Sequence, residues 1–108
     1  MSVAHNDEEK ADKALEALRF VDDPEIGLNV VDLGLIYKLD FNEEQRSVLC
    51  TMTLTTEFCP MGESIVANVT EALRMSLPGL VPEVQLTFDP PWSQDMISEA
   101  GRAFLGGY

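Results

Sequence analysis

Apolar residues recur at helical spacing early in the chain. Ala11, Ala14, Leu15, Leu18 and Val21 form one stripe among polar and acidic positions. That spacing predicts a helix over residues 7–20. Asp7, Glu8 and Glu9 lie in its first turn, where carboxylates face the positive end of the helix dipole. Pro24 stops it, because the residue before a proline is pushed away from helical conformation. The period then changes to two. Leu35, Tyr37, Leu39 and Phe41 alternate with Ile36, Lys38 and Asp40, which predicts a strand over 35–41. After a polar turn at 42–46, Val48, Cys50, Met52 and Leu54 alternate with Thr51, Thr53 and Thr55 in a half-buried strand over 47–55. The short linker makes the pair a hairpin.

A second helical stripe, Met61, Ile65, Val66, Val69 and Leu73, begins just after Cys59-Pro60 and runs to residue 77, where Pro78-Gly79 ends it. Val84, Leu86 and Phe88 mark a third strand over 83–88 with these three side chains inward. Pro90-Pro91-Trp92 breaks the chain, and Ser93 reads as the N-cap of a last helix reaching residue 104. Residues 1–6 read as a loose, flexible tail. The element order is α-β-β-α-β-α. It predicts an α+β, two-layer fold with a small mixed sheet of about three strands packed with helices, as a single domain over 7–108. The sequence shows no internal repeat and no low-complexity segment.

The 108 residues are 45% hydrophobic and 24% charged, enough for one modest core. The net charge of −12 changes the picture more. So acidic a surface repels phosphate backbones and anionic membranes, which argues against nucleic acid and membrane as partners. It suits a basic protein partner, and equally it suits solubility alone. The start of the chain is polar and acidic, without the apolar core of a leader segment. Two cysteines make no disulfide framework, so the expected setting is a reducing cytoplasm.

Cys59 carries the most chemical information. Pro60 suits the first position of a helix, since its missing N–H would be unpaired there anyway. That predicts Cys59 at the N-cap, its sulfur beside free backbone N–H groups that stabilise a thiolate. The effect is modest, about 0.3–1 kcal/mol, and Glu57 opposes it. A bound metal would ionise the thiol outright. The plain alternative is a cap cysteine with no chemistry. Cys50, mid-strand between Val48 and Met52, reads as core filler. One histidine, His5, and two cysteines fall short of a four-ligand zinc site. The acidic loop Asp22, Asp23, Glu25, with Asp32 beyond it, suits a hard cation, a basic side chain or mere loop polarity, and lacks calcium-loop spacing. Thr55 and Thr56 precede the cysteine loop and suit structural support or hydrogen bonding to a ligand. Trp92, after two prolines, is a rigid anchor for the core or for a partner.

Asp23-Pro24-Glu25 is followed by Val31-Asp32-Leu33-Gly34-Leu35-Ile36. Met52-Thr53-Leu54-Thr55-Thr56 then leads to Cys59-Pro60, and Leu77-Pro78-Gly79-Leu80, Pro90-Pro91-Trp92-Ser93 and Gly101-Arg102 through Leu105-Gly106 complete the series. In this order and spacing the pieces together resemble the SufT/PaaD family of metal–sulfur cluster biosynthetic proteins. The ordered set is specific where each piece alone is not. The resemblance implies a role in maturing iron–sulfur proteins, with Cys59 as the functional cysteine. It further implies that Asp23, Glu25, Asp32, Thr55 and Thr56 gather near it. Glu57-Phe58 stand where the family often has proline and glycine before the cysteine. PaaD-type members carry an added cysteine-rich tail that this sequence lacks, which favours a stand-alone SufT-like protein.

The expected function is a non-enzymatic assembly factor that carries a cluster or docks a carrier to an apo-target. One available thiolate per chain cannot supply the usual four of an iron–sulfur cluster. A carried cluster would be bound transiently or at a homodimer interface, with iron–sulfur assembly proteins and apo-targets as partners. Two other classes stay open: a thiol-dependent redox sensor or enzyme using Cys59, and a plain interaction adaptor in which Cys59 is only a cap.

Overall fold

The computed structural model describes residues 3–57 and 60–106. At its centre are two antiparallel strands, β4 (Ile36–Asn42) and β5 (Ser47–Met52). Leu39, Phe41, Val48, Cys50 and Met52 are buried on one face of this hairpin. Simple alternation would put Ile36 on the other face. A bulge at Tyr37 corrects the phase: Ile36 pairs with Met52 and Lys38 with Thr51, so one residue is skipped and Ile36 also turns inward.

Helix α1 (Glu8–Leu18) starts at Asp7, whose carboxylate accepts from the Lys10 N–H at 3.1 Å. It buries Ala11, Ala14 and Leu18. Helix α2 (Gly62–Ser76) packs beside it and buries Ile65, Val69 and Leu73. These stripes and the inward face of the hairpin form one core.

The sheet has four strands where the sequence predicts about three. Strand β6 (Val81–Leu86) lies parallel to β5, and the order is β1-β4-β5-β6. The extra strand, β1 (Ala4–His5), comes from the expected tail and runs parallel to β4. Two residues are too few to show a period. What holds them is Asn6, whose side-chain amide copies a strand residue. It donates to the Phe41 carbonyl and accepts from the Phe41 N–H, each at 2.9 Å. β6 forms the opposite edge, so Leu86, expected inward, is 41% exposed. A second, two-stranded sheet pairs β2 (Asp22–Asp23) with β3 (Leu28–Asn29), in a stretch that reads only as loop from sequence.

The chain after β6 folds back over the start of β4. The Tyr37 hydroxyl donates to the Pro90 carbonyl at 2.9 Å, and the Trp92 indole N–H to the Leu33 carbonyl at 2.6 Å. Instead of one helix capped by Ser93, a single 3-10 turn (Gln94–Met96) precedes α3 (Glu99–Phe104), capped by Ser98. The break falls at Ile97, which is extended and buried in the core.

Gly34 makes this return possible. Its φ is +81°, and a Cβ there would overlap the Met96 carbonyl oxygen and lie 2.8 Å from the Met96 Cβ. Gly27 has a similar φ of +82° but open space around it. Gly34→Ala should therefore cost about 3 kcal/mol, from left-handed strain plus overlap. Gly27→Ala should cost about 1 kcal/mol, from strain alone. Urea unfolding of the two variants tests this, and equal losses would contradict the packing argument.

Candidate functional site

The acidic hairpin is organised by Asp23. Its Oδ1 accepts from the Glu25 N–H at 2.9 Å, and its main-chain carbonyl accepts from the N–H groups of Gly27 and Ile26 at 2.7 and 3.2 Å. An aspartate that bonds the backbone two residues on is a standard turn former. What is unusual is its burial. Asp23 is fully buried, and its Oδ2 has no hydrogen-bond partner among the described residues. Leaving a buried polar atom unpaired costs about 1–3 kcal/mol, more for a charge. Its neighbours Pro24 and Glu25 are exposed.

Asp32 has a different task. The Asn29 amide donates to its Oδ2 at 2.8 Å. The Ser98 hydroxyl donates to its Oδ1 at 2.8 Å, and the Arg19 guanidinium meets the same oxygen at 3.2 Å. Its carbonyl accepts from the Ser98 N–H at 2.7 Å. One residue thus joins α1, the β3–β4 loop and the start of α3. Burial pushes the carboxyl up, but Asn29, Ser98 and Arg19 outweigh it and hold the group below the ordinary carboxylate value. Asn29, Ser98 and Arg19 are not evident as site residues from sequence. Asn29 alone leaves a local signal, three residues before Asp32, where its Oδ1 accepts from the N–H groups of Val31 and Asp32. Arg19 and Ser98 stand too far along the chain to be linked to Asp32 by spacing.

The structure therefore sets Asp23 and Glu25 in one turn and joins it to Asp32 through Asn29, which pairs with Asp22 across the small sheet. Thr53 is buried, and its N–H reaches the Leu35 carbonyl at 2.9 Å. Thr55 is half-buried and Thr56 exposed, on the path toward Cys59. Cys59 and Phe58 lie outside the described residues. The N-cap expected at Cys59 belongs instead to Met61, and α2 begins at Gly62. The first turn packs closely on the strand end, since a Cβ on Gly62 would lie 2.9 Å from Leu54 Cδ1. Trp92 is half-buried against the core, and its indole N–H donates to the Leu33 carbonyl.

Cys50 is confirmed as core. It is buried, and burial pushes its thiol up to about 12. Among the described residues no group of three or more histidine, cysteine or carboxylate side chains is placed to hold a metal ion.

Residues 11–86 match the model of the iron-sulfur cluster assembly protein family, and the chain belongs to that family. It is 40% identical over 87 residues to the Fe-S protein maturation auxiliary factor SufT of Staphylococcus aureus, covering 78% of this chain and 94% of that protein. It is 41% identical over 91 residues to the auxiliary factor YitW of Bacillus subtilis, covering 83% and 87% of the two chains. An iron-sulfur cluster carrier protein of Synechocystis is 35% identical over 86 residues, which span 79% of this chain but 24% of that one. The fold is similar to a crystal structure of a domain of unknown function from Bacillus anthracis, with TM-score 0.85, 35% identity and coverage of 92% and 93%.

Two outcomes are expected. Asp32→Ala should lose about 2–3 kcal/mol at pH 7, the scale of hydrogen bonds to a charged group. A lowered carboxyl stabilises the fold above its unfolded pKa, about 3.9, and that support fades as pH falls through the lower folded value. Urea melts of wild type and Asp32→Ala should therefore converge below about pH 4; a constant gap would remove the charge from the explanation. Separately, iodoacetamide on the native protein should leave Cys50 unmodified, and mass mapping should find it labelled only after unfolding.

Proposed function

We propose that this protein is a non-enzymatic maturation factor for iron–sulfur proteins, with Cys59 as the residue that touches the cluster. The cluster is its cargo. The observation that carries this reading is the combination of family membership with the fate of the two cysteines. The chain has two, and Cys50 is locked in the core with its thiol pushed up to about 12. Cys59 is then the thiol left for chemistry.

One thiolate is short of the four that usually hold a cluster. The other ligands would come from a second copy, from an assembly partner or apo-target, or from a small thiol. Such a site is open by construction, and an open site suits transfer better than storage. Asp23, Glu25, Thr55 and Thr56 are proposed to shape the surroundings of Cys59, and Asp32 to hold the acidic hairpin in place from behind. The buried Oδ2 of Asp23 supports this, since an unpaired carboxylate oxygen is retained most readily where function requires it. We assign the protein to the cytoplasm, because two cysteines that make no disulfide framework suit a reducing compartment. The shortage of thiolates on one chain suits a second reading as well, a docking factor that brings carrier and apo-target together.

Anaerobic reconstitution with iron and sulfide, comparing wild type with Cys59→Ser, separates these readings. A cluster absorbance in the wild type that is lost in the variant is expected for the carrier, at one cluster or less per two chains. Absence of bound iron in both proteins would exclude direct carriage and leave the docking role.

A further inference from the structure

The C-terminal ends of α1 and α2 carry a second feature. Phe20 is 88% exposed and Met75 is 75% exposed, yet both line one cavity of about 670 Å³ between the C-terminal ends of α1 and α2. Ala17 and Ala72 form its floor. Small residues on both helices leave a groove, and two large apolar side chains flank it. A pair of large apolar groups set out in water around one groove is a mark of an interaction surface. Methionine is well suited to such a surface because its side chain adapts to different partners.

The charges around the groove indicate what fills it. Its charged lining residues, Asp22 and Glu71, are both carboxylates. Glu71 forms an ion pair with Arg74, so the net negative charge at the groove comes from Asp22. The whole chain carries −12, so a second copy would be repelled here and a basic partner attracted. Phe20 and Met75 stand so far out that a small ligand would leave them largely bare. A helix, about 10 Å across, would cover both. We propose that this groove docks an amphipathic helix of a protein partner, with apolar side chains at helical spacing set between Phe20 and Met75 and lysine or arginine on its flanks. Asp22 lies in both the groove lining and strand β2, directly before Asp23. A helix held here places its owner beside the acidic hairpin. The inference deepens the maturation reading, and rests on it for the identity of that owner as an assembly partner or apo-target.

The test uses the full chain and a synthetic probe of about 18 residues, five helical turns, with leucine at helical spacing and lysine elsewhere. Saturable NMR shifts are expected at the Met75 methyl and the Phe20 amide. Phe20→Ser/Met75→Ser, two surface changes that leave the core intact, should weaken binding at least tenfold. Cys59→Ser should bind the probe as the wild type does. Equal binding by the double variant, or by a leucine–glutamate version of the probe, would overturn the proposal. So would self-association of the protein that the double variant abolishes. The two readings fail separately: loss of iron binding with probe binding intact sinks only the carrier, and the reverse sinks only the groove.

Discussion

The Asp32 carboxylate joins three parts of the chain, two of them brought to it by folding. Arg19 reaches it from α1, Asn29 from the small sheet and Ser98 from the C-terminal strap. Each contact alone is ordinary in strength. Their convergence matters, because the strap has little secondary structure of its own. A second set of contacts, Trp92 to Leu33 and the close approach of Met96 to Gly34, fastens the strap to the same loop. The loop at residues 30–35 is thus fixed from both sides, and it is this loop that leads into the central hairpin.

Asp23 is the counterpart. Both aspartates belong to the acidic region, yet one is fully engaged and the other is not. Asp32 is negative and satisfied; it holds the frame. Asp23 gives one oxygen to its own turn and keeps the other buried without a partner among the described residues. A fold that satisfies one carboxylate so thoroughly and its neighbour only by half separates support from a candidate working surface. The same division applies to the cysteines: Cys50 packs the core, and Cys59 is proposed to meet the cargo.

The acidic surface gains a meaning beyond solubility when set beside the groove at Phe20 and Met75. Apolar contact would supply affinity there, and surrounding charge would select and steer the partner. The groove and the acidic hairpin share Asp22, so a docked partner would sit beside that hairpin. A factor with too few ligands of its own benefits from a partner that arrives close to the missing ones.

Much of this was legible in the sequence. The stripes in both helices and the alternation at 47–52 predicted the core faces, because burial imposes a period that survives in one dimension. The acidic loop and Cys59-Pro60 were visible as chemistry. Other features depended on contacts between segments far apart in the chain. Alternation alone could not reveal the bulge at Tyr37, which is needed to turn Ile36 inward. Nothing local marked Ala4 and His5 as a strand, since Asn6 holds them through Phe41, 35 residues away. Ser93 and Ser98 are both fit to cap a helix; burial of Ile97 and the bond to Asp32 selected Ser98. The helix α2 begins at Gly62, two residues later than Pro60 suggested, where it packs closely on Leu54. The sequence by itself determined which residues must be buried and which chemistry is present. Only the tertiary structure decided which polar groups are satisfied, because each partner of Asp32 beyond its own loop is brought to it by folding.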